Sequence, residues 1–153
     1  MQKIEAERKT AAPAAPSQPK QVAQIVLPHP TALDGGWLGE LPYPPTVNTY
    51  YRHVGAKVLI SARGRAYRKA VERQLAGCAC IDGDVMMRVD VYPPDCRRRD
   101  LDNLLKGLQD SLTHGGLLRD DCQIKRLVVE MQEPCRPHGK VQVGIFRISG
   151  KVV

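Results

Sequence analysis

The stretch from Asp84 to Asp95, DVMMRVDVYPPD, constrains the fold of this chain more than any other. Its apolar residues alternate with polar ones, so that they share one face of a β-strand: Val85, Met87, Val89 and Val91. The strand must stop at Pro93 and Pro94, because proline has no N–H to donate to a neighbouring strand. The sequence therefore predicts a strand with one face on a core and a loop directly after it.

Two helices are predicted, one on each side of this strand in the chain. The first, SARGRAYRKAVERQLAG, has Ser61 as its N-cap and Gly77 at its end, with a modest apolar stripe of Ala66, Ala70, Val71 and Leu75. The second runs from about Leu101 to His114 and is terminated by two glycines at 115 and 116. Its leucines share one face at helical spacing: Leu101, Leu104, Leu105, Leu108 and Leu112.

Three further segments are expected to be strands, and together the elements define a fold class. They are a short strand from Trp37 that stops at the prolines before residue 46, a strand over about Gln123–Gln132, and a last strand over Val141–Ile148. The segment 46–60 is expected to be irregular or a hairpin. The order strand, helix, strand, helix, strand, strand predicts an α+β domain, a mixed sheet with two main helices packed on it.

The domain is expected to occupy residues 36–150. Residues 1–35 are charged and then rich in Ala and Pro, which predicts a disordered arm and linker. The short apolar run Val22–Leu27 within this region leaves open an alternative first strand.

Composition favours an acidic partner and a reducing compartment. The chain has 23 Lys and Arg against 16 Asp and Glu, a formal charge of +7, which favours polyanions such as nucleic acid. Its five cysteines form no CxxC pair and have no histidine at a zinc-ligand spacing, as expected of reduced thiols. No apolar run approaches the roughly 20 residues that span a bilayer, and the N-terminus lacks a signal-peptide core. A cytoplasmic protein without a membrane partner is predicted.

Acidic residues gather at two junctions between elements. Asp100 and Asp102 lie where the loop after the strand becomes the second helix, and Asp120 and Asp121 precede the next strand. A hard divalent cation such as Mg²⁺ prefers oxygen ligands and keeps several waters, so that two or three carboxylates suffice. The alternatives are helix capping, a simple turn, and an i, i+4 ion pair between Asp102 and Lys106.

A run of three arginines, Arg97 to Arg99, bears on this choice. It stands directly before the second helix, where the positive end of the helix dipole disfavours cations. An external anion would explain it, with arginines on a phosphate backbone and carboxylates on an ion.

Four motifs then resemble one family. They are LPYPPTVNTYYRH (Leu41–His53), SARGRAYR (Ser61–Arg68), PPDCRRRDLDNLLKGLQDSL (Pro93–Leu112) and LLRDD (Leu117–Asp121). In this order and spacing they resemble the RusA family of Holliday-junction resolvases, which is common in bacteria, phages and prophages. The resemblance covers about residues 37–148, and the long N-terminal extension departs from the compact family pattern.

The resemblance implies an activity and the residues that carry it. It implies a homodimeric, Mg²⁺-dependent endodeoxyribonuclease, with Mn²⁺ as an alternative ion and no nucleotide cofactor, that resolves four-way DNA junctions by paired symmetric nicks in recombination and repair. Catalysis falls on Asp100, Asp102, Lys106 and Asp121, of which the three aspartates ligate the metal, and Asp120 is an outer acid. The residues expected on DNA are Arg97, Arg98, Arg99, Asn48, Tyr51, Arg52, Arg65, Arg68 and Lys69.

Two other functions remain open at the level of sequence. One is a non-catalytic, structure-selective DNA-binding protein in which the aspartates only cap and turn. The other is an endonuclease that prefers forks or flaps. Metal-dependent cleavage separates the first from the nuclease, and competition between branched substrates separates the second.

Overall fold

The computed structural model of the protein describes residues 36–148. Along the chain its elements are β1 (Trp37–Pro42), α1 (Val47–Tyr50), β2 (Tyr51–Val54), β3 (Lys57–Ile60), α2 (Ala62–Leu75), β4 (Val85–Tyr92), α3 (Asp102–His114), a 3₁₀ turn η1 (Asp121–Gln123), β5 (Ile124–Met131) and β6 (Lys140–Arg147). The predicted N-terminal arm and the alternative strand at Val22–Leu27 lie outside the described residues. No helix in residues 36–148 is long and apolar enough to cross a membrane.

The main sheet is mixed, as the sequence predicts. Its strand order is β1–β6–β4–β5, with β6 antiparallel to both neighbours and β5 parallel to β4. Strands β2 and β3 form a separate antiparallel hairpin. Because parallel neighbours need a long crossover connection, the chain from β4 to β5 leaves the sheet and carries α3 and η1 on its way. This crossover positions the acidic residues of both junctions.

Strand β4 confirms the predicted alternation. Val85, Met87, Val89 and Val91 are all buried, and the strand ends at Tyr92, directly before the proline pair. Their neighbours across the sheet are the buried residues of β6, Val141, Val143 and Ile145. One face of the central strands thus forms the core that the sequence predicts.

Helix α3 covers this core with the predicted leucine face. Leu104, Leu108 and Leu112 are buried, whereas Leu101 and Leu105 at the margins are only partly buried. The helix begins one residue later than predicted, at Asp102, and ends at His114 before the two glycines.

Helix α2 begins at its predicted N-cap. The hydroxyl of Ser61 accepts a hydrogen bond from the backbone N–H of Gly64 at 3.0 Å. The helix ends at Leu75, two residues before Gly77, whose φ of +84° is the left-handed conformation that glycine adopts without strain.

The apolar stripe predicted for α2 is partly wrong. Ala66 is exposed, and the buried face consists of Gly64, Tyr67, Val71 and Leu75. Gly64 belongs to this face because α2 approaches the carbonyl of Tyr50 so closely that a Cβ there would stand 2.5 Å from that oxygen. A glycine adds no apolar signal to the sequence, and for this reason the stripe predicted for α2 did not include Gly64.

The segment 46–60 forms the hairpin that was one of its two predicted states, preceded by the short helix α1 that was not predicted. Four residues are too few to carry a helical period.

All five cysteines of the chain are free thiols, in agreement with the prediction.

Candidate active site

The two aspartates at the start of α3 are not used to cap it. The N-cap position is Leu101, and no side chain accepts a hydrogen bond from the first turn there. Asp102 is the first helical residue, and Asp100 only receives a long hydrogen bond of 3.4 Å from the Asn103 amide. Both acids are exposed. The capping alternative is therefore wrong for this helix, and both carboxylates are free to bind a ligand.

Lys106 lies one turn further along α3, between two other carboxylates. Its ammonium donates to Asp110 at 2.8 Å and to Asp121 at 2.9 Å. These two hydrogen bonds, the one to Asp110 first, raise the pKa of Lys106 above its usual value, so the side chain is a permanent cation. The alternative pairing of Lys106 with Asp102 is not observed.

The two neighbouring acids of the second junction have different surroundings. Asp120 caps the turn η1, where its carboxylate accepts from the Cys122 N–H at 2.8 Å. That hydrogen bond is the main reason why the pKa of Asp120 lies below its usual value. Asp121 instead points to Lys106. The local geometry thus distinguishes the two acids: Asp120 is engaged by the backbone of the turn, whereas Asp121 faces Lys106.

Gln123 fixes the turn in place, and the sequence analysis missed it. Its carbonyl oxygen accepts from the backbone N–H groups of Arg119 at 2.7 Å and Asp120 at 3.2 Å. Its amide donates to the carbonyls of Ile81 at 3.0 Å and Gly83 at 2.8 Å. The signal was present as the capping-box spacing of an acid followed three residues later by Gln. Gln123 therefore anchors Asp121 opposite α3.

Tyr51 and Asp110 complete this group. The Tyr51 hydroxyl donates to one carboxylate oxygen of Asp110, whose other oxygen accepts from Lys106. Burial, and then the hydrogen bond to Asp110, raise the pKa of Tyr51 to about 12, so it stays a neutral donor. Tyr51 was expected on DNA, and no role was predicted for Asp110. In the structure the hydroxyl of Tyr51 is already engaged by an acid.

Tyr50 carries Tyr51 into this position. It is fully buried, and its hydroxyl accepts from Arg68 at 2.7 Å and lies 3.3 Å from the Ser111 hydroxyl. Its ring lies against Gly107 on α3, where a Cβ would stand 2.9 Å away. A glycine on α3 thus lets the buried tyrosine lie against the helix that bears Lys106 and Asp110.

The three arginines of the run differ in what they touch. Arg97 is 85% exposed, and Arg98 is also exposed. Arg99 is 17% exposed, because its guanidinium binds the Asp95 carboxylate at 2.7 Å and the carbonyls of Asp95 and Arg97 at 3.0 Å each. Arg99 therefore holds the loop together, whereas the Arg97 guanidinium contacts Asp95 more weakly, at 3.9 Å, so that Arg97 and Arg98 can both reach an external anion. All three line one surface groove with Asp100.

Two further grooves join at α2 and α3. The first is lined by four cations, by apolar residues of the hairpin and by one acid: Arg52, Arg65, Arg68, Lys69, Val58, Leu59 and Glu72. The second is lined by Lys106, Asp110 and Asp121, together with Arg68 and His114, which belong to both grooves. A basic channel thus leads to the lysine–acid group. Asn48 is exposed but lines neither groove.

The acids are suitable ligands for a hard divalent cation, but in this structure they do not form a complete metal-binding site. Asp100 and Asp102 offer exposed carboxylate oxygens, the ligand type that Mg²⁺ prefers. Within residues 36–148, no three acidic, histidine or cysteine side chains are close enough together to hold a metal ion. The structure brings Asp121 to Lys106, but it does not bring Asp100, Asp102 and Asp121 together around one point.

The site combines exposed arginines, a basic channel, a permanent lysine cation and carboxylates that do not cap a helix. These features are typical of a protein that binds a phosphodiester chain. Comparison with known proteins agrees. The family described as endodeoxyribonuclease RusA matches residues 42–145. A crossover junction endodeoxyribonuclease rusA of Enterobacteria phage 82 is 46% identical over 115 residues, which is 72% of this chain and 94% of that protein. The protein of that name from Escherichia coli K12 is 44% identical over the same shares.

A phage HK97 protein of the same name is 49% identical over 86 residues, 54% of this chain and 72% of its own length. The chain therefore belongs to the RusA family of endodeoxyribonucleases. It is an enzyme of a class that hydrolyses phosphodiester bonds in DNA.

Proposed function

We propose that the protein is a Holliday-junction resolvase, a metal-dependent endonuclease that cuts four-way DNA by paired symmetric nicks during recombination and repair. The observation that carries the proposal is the 2.9 Å contact between Lys106 and Asp121, on the same crossover as Asp100 and Asp102, which do not cap α3. The relatives that match most of this chain are named for crossover junctions, which supports branched DNA as the substrate.

The proposed metal is Mg²⁺, with Mn²⁺ as a substitute, held by Asp100, Asp102 and Asp121. An ion at these carboxylates supplies a water of lowered pKa and charge neutralisation at the scissile phosphate. One oxygen of Asp121 accepts from Lys106, and no three acids of residues 36–148 lie close enough for one ion, so a shared ion would need Asp121 and the start of α3 to move closer together. The exposure of Asp100 and Asp102 at the helix start leaves room for such a rearrangement.

The chain's own cations have distinct proposed tasks. Lys106 donates to the phosphoryl oxygens as negative charge develops in the transition state, the same kind of stabilisation that preorganised donors give an oxyanion. Arg97 and Arg98 contact phosphates beside Asp100. The basic channel holds an arm of the junction through Arg52, Arg65, Arg68 and Lys69. Asn48, which is exposed but lines neither groove, is a further proposed DNA contact, and the Tyr51 hydroxyl is held by Asp110.

A homodimer is proposed because of the task. Two symmetric cuts require two active sites related by a twofold axis. The exposed apolar residues Leu127 and Met131 on the edge strand β5 offer one surface for such contacts. Sedimentation of the full chain is expected to show a dimer, and a monomer at micromolar concentration would contradict this part.

Substrate competition tests the proposal. The full chain is incubated with Mg²⁺ and equal amounts of labelled four-way junction, replication fork, flap and linear duplex. Paired nicks at symmetric positions in the junction, with little cutting of the others, are expected. Preferred cutting of forks or flaps would favour the alternative endonuclease. Junction binding without cutting in Mg²⁺ or Mn²⁺ would favour a non-catalytic binding protein.

A further inference from the structure

We infer that Asp110, held by Tyr51, is a positioning residue that keeps the Lys106 ammonium in its working orientation. The inference rests on the proposed role of Lys106 in cleavage. No motif of the sequence assigned a role to Asp110, and Tyr51 was expected on DNA.

The two oxygens of Asp110 have one partner each. One accepts from Lys106 at 2.8 Å, and the other accepts from the Tyr51 hydroxyl. Because one oxygen is held from behind by the tyrosine, the carboxylate plane is fixed, and the oxygen that faces Lys106 is fixed with it. The Asp110 side chain is only 18% exposed, so that water competes weakly for these bonds.

The anchor behind Asp110 is rigid. Tyr51 begins β2 and directly follows the fully buried Tyr50, whose ring meets it edge to face with centroids 4.8 Å apart. A chain of contacts therefore runs from the core through Tyr51 and Asp110 to Lys106. The other partner of the lysine, Asp121, stands on a three-residue turn and is more exposed.

This difference assigns separate tasks to the two acids. If Asp121 turns toward a cation, Lys106 loses that partner, and Asp110 alone keeps the ammonium in place. An ammonium has three N–H donors. Asp110 and Asp121 use two of them among the described residues, which leaves a donor for a phosphate oxygen in the groove that Arg68 and His114 also line.

The test compares Asp110→Asn and Tyr51→Phe with the unchanged full chain. Asparagine keeps the shape and an acceptor but removes the charge that binds Lys106. We expect kcat for junction cleavage to fall by about 10-fold to 100-fold, by analogy with the loss caused when a group that orients a metal ligand is mutated. The affinity for the junction is expected to stay within about twofold. Asp110→Glu restores the charge and is expected to recover part of kcat.

Asp90→Asn is the matched control. Its side chain is equally exposed, at 18%, and is likewise bound to a cation, Arg88 at 3.0 Å, but it lies on β4 and lines none of the three grooves described above. A loss of kcat in Asp90→Asn as large as that in Asp110→Asn would show a general structural effect and overturn the inference.

A second readout needs neither metal nor activity. In a ¹H–¹⁵N spectrum of lysine ammonium groups in the metal-free protein, Lys106 is expected to give a signal slowed in exchange by its two carboxylates. Asp110→Asn should broaden or abolish that signal, and Tyr51→Phe should weaken it. An unchanged Lys106 signal together with unchanged kcat in both variants would overturn the inference. If Lys106→Ala still cleaves the junction, the proposed function of Lys106 fails instead, whatever Asp110 does.

Discussion

Lys106 on α3 and Asp121 on η1 are joined by a hydrogen bond of 2.9 Å, although 15 residues separate them. Both lie on the crossover between the parallel strands β4 and β5, as do Asp100 and Asp102. One connection therefore carries every proposed metal ligand and the lysine. The sheet determines where this connection begins, at the end of β4, and where it ends, at the start of β5.

The basic channel makes a prediction about two cations of α2. Lys69 lines the channel and Arg73, one turn later, does not. Lys69→Ala is expected to weaken junction binding and to reduce the slope of log K against log salt by about 1, the effect of one lost phosphate contact. Arg73→Ala is the matched control and should leave the slope unchanged. Equal effects of the two changes, measured by fluorescence anisotropy, would argue against a defined channel.

The three arginines of the run are expected to have different effects when they are mutated, because they differ in exposure. Changing both Arg97 and Arg98 to Ala should make the slope of log K against log salt shallower by up to about 2, because both side chains are exposed and can meet phosphates. Thermal melting of this double variant should match that of the parent. Arg99→Ala should instead lower the melting temperature, since it removes the clasp on Asp95 and on two carbonyls. A double variant with an unchanged slope would show that Arg97 and Arg98 do not touch phosphates.

Asp95 gives this loop a pH dependence. The backbone N–H of Arg97, and then the Arg99 guanidinium, hold the pKa of Asp95 below its usual value. A depressed folded pKa stabilises the fold above the unfolded value of about 3.9, and the contribution is lost as pH falls through the folded pKa. Asp95→Asn should therefore unfold at lower urea than the parent at pH 7, and the gap should close below pH 4. A gap that persists in acid would mean that charge is not the cause.

Substitution of Gly64 tests how closely α2 packs against Tyr50. A methyl group there would stand 2.5 Å from the Tyr50 carbonyl, so α2 would have to move away from α1. Gly64→Ala is expected to destabilise the fold by about 1–3 kcal/mol, the usual cost of overpacking. In an unconstrained helix interior the same change would instead stabilise by about 1 kcal/mol. Urea unfolding decides the sign, and a more stable variant would contradict the close packing.

Residue patterns predicted the sheet class, both long helices and the boundary at the proline pair, because these depend on periodicity and on proline chemistry. They did not predict the inward face of α2, since Gly64 faces the core for its small size and contributes no apolar signal. They also missed the helix α1, which is too short to have a period.

At the site, the spacing of residues in the sequence predicted the acids but not which of them pairs with Lys106. Asp102 and Asp110 are both four residues from Lys106 and look equivalent on a helix. Only the packing of Tyr51 against α3 shows that Asp110 receives the lysine. Gln123 has the local capping-box spacing after Asp120, but its contacts with Ile81 and Gly83, some 40 residues away, could not be predicted. Contacts of this range depend on the fold and leave no local pattern.

Cleavage of a synthetic four-way junction by Asp102→Asn, in Mg²⁺ and under single-turnover conditions, tests the central claim most directly. Asp84→Asn, which changes a partly exposed acid at the start of β4, serves as control. Asp102→Asn is expected to nick at least about 100-fold more slowly, since it removes one of the three carboxylates proposed to hold the ion that would activate the water. Its affinity for the junction should be equal or higher, because a negative charge has left the binding surface. Near-normal nicking by Asp102→Asn would contradict the account.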